Sequence, residues 1–124
     1  MTYGTLTDAE ARDLRALAGI MIPASSAHGV PGADDALIFA DVLKSLERDT
    51  ADAQIALKHL RELSGGAFAE LAPERRTEVA MRFRHEGGAP LFALNRVVLL
   101  CYYRDDRVMR EYPDEVIDGA RIMA

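Results

Sequence analysis

The side chains of this 124-residue chain best suited to chemistry are three histidines, one cysteine, a carboxylate pair and a cluster of tyrosines and arginines. His28, His59 and His85 are candidate bases, but none has a second histidine or a cysteine at metal-ligand spacing. His28 sits in a loop rich in proline and glycine, where it reads as an exposed histidine without a role; His59 is expected to face solvent or cap a neighbour. Asp34-Asp35 can be drawn as a dyad, yet consecutive helical residues point about 100° apart. Both aspartates suit the positive end of a helix dipole instead. Cys101 lies within an apolar run and has no second cysteine for an intrachain disulfide, so it reads as a small buried hydrophobe. The sequence contains no P-loop, glycine-rich dinucleotide fingerprint or nucleophile elbow. Catalytic, cofactor-binding and metal-ligating residues are therefore not expected in this chain, and a small enzyme built on His28 or His85 is the least favoured reading.

Tyr102, Tyr103, Arg104, Arg107 and Tyr112 are the residue types that most often anchor interfaces, because each joins a large contact area to a directional polar end. Two readings of them stand: partner anchors, or tyrosines completing a small core with solvated arginines. Arg96, inside the apolar run beside Asn95, also has two readings. It either reaches the surface or an acidic residue of another helix, or it borders a partner subunit.

These side chains must be positioned by helices. Leu91 to Tyr103 (LFALNRVVLLCYY) is apolar on nearly every face, and about 13 residues rise only about 20 Å, too short for a bilayer. It is expected to be a buried central helix, followed by a charged, aromatic-tipped tail (RDDRVMREYP, Arg104 to Pro113). Upstream, Thr7 with Glu10 is a capping box that starts a helix at Asp8, and Pro23 stops it. A second helix is expected from about Ala33, with Asp34 and Asp35 in its first turn. A third runs from about Thr50 to Leu63, ended by Gly65-Gly66. Ala67 to Leu71 reads as one short turn; Pro73 opens a helix through about His85, and Pro90 opens the apolar one. The expected fold is all-α: one domain over residues 1–124, an orthogonal bundle of about five helices around the buried helix of the C-terminal half.

A net charge of −5 argues against a general nucleic-acid binder, and no segment reaches transmembrane length. The opening MTYGTLT has no signal-peptide character, and Arg75-Arg76 lies mid-chain, so a cytoplasmic location is expected.

Three stretches, in their order and spacing over most of Leu6 to Pro113, carry a resemblance. They are IMIP at Ile20 to Pro23 with PGADDA at Pro31 to Ala36, AFAELAPERR at Ala67 to Arg76, and LFALNRVVLLCYY at Leu91 to Tyr103 with REYP at Arg110 to Pro113. Together they resemble the gluconate 2-dehydrogenase subunit 3 family, the small subunit of bacterial FAD-dependent sugar and alcohol dehydrogenases. The resemblance implies a noncatalytic subunit that stabilises or matures a large flavoprotein of the glucose-methanol-choline (GMC) type. That partner would hold the FAD and oxidise a sugar or alcohol hydroxyl. Exported family members usually begin with a twin-arginine (Tat) signal, which is missing here, so the chain looks like a cytoplasmic variant. RDDR at Arg104 to Arg107 also lacks the proline expected near that turn.

On this reading the partner interface comprises Pro23, Pro31, Gly32, Arg96, Tyr102, Tyr103, Arg104, Arg107 and Tyr112. The alternative is a freestanding helical protein that self-associates as a homodimer, with no flavoprotein partner. The final segment, 114–124, carries Val116, Ile117, Ile122 and Met123 and is read either as docking on a partner or as flexible.

Overall fold

The computed structural model describes residues 4–112. Local signals start and stop most of its helices where the sequence places them. Thr7 accepts from the Glu10 amide while Glu10 reaches back to the Thr7 amide, closing a capping box at the start of α1 (Asp8–Met21). α3 (Thr50–Ser64) ends at Gly65, whose φ of 70° is a left-handed conformation that glycine adopts without a Cβ clash. A 3₁₀ turn (Phe68–Glu70) follows, and Pro73 opens α4 (Pro73–Glu86) at its first turn.

Three boundaries differ from the sequence expectation. α2 (Ala36–Ser45) begins three residues later than expected, because the Asp35 carboxylate accepts from the Leu37 and Ile38 amides and so caps the helix from outside it. The Ala33 amide is meanwhile drawn onto the Ile22 carbonyl (2.9 Å). α5 (Gly88–Tyr103) begins two residues before Pro90, and only Gly87 separates it from α4. Gly87 closes the last turn of α4 onto Phe83, and a Cβ there would lie 2.3 Å from the Leu91 side chain. The charged tail, to which the sequence expectation assigns no helix of its own, forms a sixth helix, α6 (Asp106–Glu111), capped by Asp105.

The structure is all-α. Among the described residues the only β feature is a single bridge between Ser25 and Val30, which folds the proline- and glycine-rich loop into a compact corner. α5 lies at the centre, packed chiefly on α3 and α2, with Leu94, Val98 and Cys101 essentially inaccessible. Leu14, Ile38, Val42, Leu60, Phe68, Phe83 and Val108 bring the other elements into the same core. One buried charge organises the far side of α1. The Asp13 carboxylate, 2% exposed as a residue, accepts from the Ala69 amide at 3.0 Å and lies 3.7 Å from Arg61. This contact holds the Phe68 turn against α1. No helix of the described residues is long and apolar enough to cross a membrane.

Candidate partner-binding surface

The arginines of the C-terminal half are engaged within the chain. Arg96 donates to both carboxylate oxygens of Asp49 (3.0 and 3.1 Å), just ahead of α3. Arg104 grips Asp41 through two nitrogens and donates to Ser45 Oγ at 2.7 Å. Arg107 donates to Asp35 (3.2 and 2.8 Å) and to Asp105. As the chain advances through Arg96, Arg104 and Arg107, the partners step back through Asp49, Asp41 and Asp35. The segment around α2 therefore runs antiparallel to α5 and α6, clasped along its length.

Electrostatics follow from this geometry. The Arg107 guanidinium lowers the pKa of Asp35 and of Asp105, and Arg104 lowers that of Asp41, outweighing partial burial in each case. Both arginines are in turn held more firmly protonated. Burial pushes the Cys101 thiol pKa up, which suits an inert core cysteine rather than a nucleophile.

Two of the residues proposed as interface belong to the core of this chain. Tyr102 is 3% exposed, with its hydroxyl donating to the Pro31 carbonyl at 3.0 Å, and burial pushes its pKa up. Gly32 is buried with no room for a side chain, since a Cβ would lie 2.7 Å from Asp34 and 2.9 Å from the Ile22 carbonyl. Tyr103 is half-buried and meets Tyr102 edge-on at 5.3 Å. Pro31 is half-buried and Pro23 exposed. Tyr112 is half-buried, its ring 5.4 Å from that of His28.

The histidines do not converge. His28 is exposed, as expected, but it has a partner in Glu111 (3.0 Å) and so ties the loop to α6. His59 is half-buried, edge-on to Phe83 and 3.5 Å from Glu86; His85 is exposed. Asp34 and Asp35 do not form a dyad, because Asp35 is committed to its cap and to Arg107. Among the described residues no group of histidine, cysteine or carboxylate side chains is arranged to hold a metal ion.

Uncovered apolar surface is found away from these residues, part of it on α5. On α5, Phe92 is 71% and Leu100 47% exposed, along a stripe that also carries half-buried Leu99 and Tyr103. Beside it, α1, α4 and α5 frame an open groove of about 380 Å³ lined by Ile20, Met21, Met81, Arg84, Leu91 and Asn95, among others. The Asn95 side-chain oxygen is buried there with no hydrogen-bond partner among the described residues, and Met81 on the groove's edge is 61% exposed. Sequence reasoning did not single out Phe92 or Leu100. The signal was present as apolar residues on too many faces of one helix, but nothing in the sequence says which face stays open.

Comparisons with family models, with curated proteins and with solved structures returned no match for this chain.

Proposed function

We propose that this chain is the noncatalytic small subunit of an FAD-dependent oxidoreductase of the GMC type acting on a sugar or alcohol hydroxyl, which it stabilises or helps to mature. The observation that carries the reading is Phe92, 71% exposed on a helix whose other faces form the core of the molecule. A large aromatic side chain in water, continued by Leu100 and flanked by an apolar groove, is the kind of surface an obligate partner covers. The three sequence stretches that resemble the gluconate 2-dehydrogenase subunit 3 family name the class of partner. They coincide with the end of α1 and its loop, with the Phe68 turn and the start of α4, and with α5 and α6.

In this reading the FAD and the oxidation chemistry belong to the partner, and this chain contributes surface. α5 supplies the anchor, Met81 and the groove extend the contact, and exposed Pro23 lies on the loop that forms a second contact. Arg104 and Arg107 are spent on Asp41, Asp35 and Asp105 within the chain, where they clasp α2 to the end of α5 and to α6.

Co-expression with a large oxidoreductase encoded beside this chain, and purification on a tag carried only by this chain, tests the proposal. The expected result is a yellow, FAD-containing complex with dehydrogenase activity, lost when Phe92→Asp is introduced. Recovery of the tagged chain alone and colourless would overturn it.

A further inference from the structure

We propose that a second copy of this chain docks on the outer face of α2, forming an antiparallel helix pair about a two-fold axis at Ala40. α2 is apolar on both sides. Ile38, Phe39 and Val42 enter the core, whereas Leu37 (71% exposed) and Leu43 (39% exposed) face outward beside exposed Ala36 and Ala40. Among the described residues Leu37 is left open to solvent, and only the Leu43 end of that side is bordered by other residues, Leu6 and Ala11.

The outward residues are symmetric about Ala40, with Leu37 three positions before it and Leu43 three positions after. A two-fold axis there sets Leu37 of each copy against Leu43 of the other, and the two Ala40 side chains against each other. Such a contact is isologous, as closure of a two-fold dimer requires. A methyl side chain at the crossing lets the helix axes approach to about 8 Å, the near end of the usual range.

Shape supports the same register. Leu43 and Lys44 form one wall of a surface depression of about 520 Å³ that is also lined by Leu6, Ala11 and Leu46. The pairing lays the protruding Leu37 of one copy beside Leu43 of the other, over this depression. Each copy thus offers one knob and one hole. Charge agrees too: Asp34 precedes α2, while Lys44 lies in its last turn and Arg48 just beyond, all exposed. Within the described residues neither Asp34 nor Lys44 has an ion-pair partner. An antiparallel arrangement brings each Lys44 toward the end bearing the other copy's Asp34 and opposes the two helix dipoles. A parallel arrangement would put like ends together.

A ten-residue helix is about 15 Å long, and a contact of that length falls short of the roughly 800 Å² per partner of a standard interface. The dimer is therefore a weak, concentration-dependent one. The contact uses none of the α5 face, so it goes beyond flavoprotein docking and is compatible with it.

Sedimentation equilibrium from about 1 μM to 1 mM, the range in which weak pairs assemble, tests this on the full chain. The expected result is an average mass rising toward twice the monomer, and a Leu37→Asp variant that stays monomeric with unchanged helical circular dichroism. Combining Leu37→Lys with Leu43→Glu should restore the dimer, since each new lysine then faces the other copy's glutamate. Ala40→Cys should cross-link to itself on mild oxidation, while Phe92→Cys should not. A monomer at every concentration overturns the proposal. So does a dimer that survives Leu37→Asp but dissociates with Phe92→Asp, because the copies would then meet through α5.

Discussion

Arg107 holds Asp35 across 72 residues of sequence with a two-pronged fork, Nη1 to Oδ1 at 3.2 Å and Nη2 to Oδ2 at 2.8 Å. The same Asp35 carboxylate caps α2, and the same guanidinium reaches Asp105, the cap of α6. One cation therefore ties together the N-termini of two helices that are far apart in the chain. The arrangement is bidentate, so a point charge cannot reproduce it.

Arg107→Ala is expected to lower the unfolding free energy by about 1–2 kcal/mol. This is the lower part of the range for hydrogen bonds to charged groups, because the guanidinium is partly solvated. Arg107→Lys should recover less than half of that loss. Urea unfolding monitored by circular dichroism measures both, and full recovery by lysine would reduce the fork to simple charge attraction.

Acid should weaken the fold through the same groups. Arg107 depresses the pKa of Asp35 and Asp105, and Arg104 that of Asp41, below the usual 3.8. A carboxyl with a depressed folded-state pKa stabilises the fold above its unfolded-state pKa, and the gain is lost as pH falls through the folded value. Thermal midpoints should therefore vary little from these aspartates above about pH 5 and drop below about pH 4. Arg107→Ala should flatten that drop; a parallel curve for wild type and variant would detach these aspartates from acid stability.

Asp13 carries a separate test. Asp13→Ala leaves the Ala69 amide without its side-chain acceptor and should cost about 1–3 kcal/mol, while Asp13→Asn, which keeps an acceptor oxygen, should cost less. Chemical denaturation separates the two. Equal losses would assign the effect to the nearby Arg61 charge.

Glu47 adopts φ 43° at the corner between α2 and α3, a left-handed conformation that an L side chain resists. Glu47→Gly should raise stability by about 0.5–1 kcal/mol, the relief of that conformation less the added freedom of glycine in the unfolded chain. A fall in melting temperature on this substitution would show that the side chain contributes more than its backbone costs.

Exposed and buried aromatics of α5 should behave oppositely. Phe92→Asp should change stability by no more than about 0.5 kcal/mol and abolish recovery of the flavoprotein complex. Tyr102→Phe should cost about 1 kcal/mol through the lost bond to Pro31 and leave complex recovery intact. Parallel melting curves and tag-based purifications read out both.

Local punctuation carried most of the fold. The Thr7–Glu10 box, Pro73 at a first turn and Gly65 at a helix end act within a few residues of themselves, so composition and spacing are enough to place α1, α3 and α4. Asp35, expected inside the first turn of its helix, instead caps α2 from just ahead of it. An aspartate can serve inside a first turn or just ahead of it, and only the direction of the preceding chain separates the two.

What the sequence by itself determined is that the chain is helical, that its helices begin and end near those signals, and that the helix of Leu91 to Tyr103 carries more apolar surface than one side can bury. Tertiary structure alone decided which residues fill that surface. It drew Tyr102 inward onto Pro31, left Phe92 outward, and paired Arg96, Arg104 and Arg107 with Asp49, Asp41 and Asp35. Helix formation is settled by neighbours three and four residues away, whereas burial and ion pairing depend on which element packs opposite. For these pairs the opposing residue is 47 to 72 positions distant.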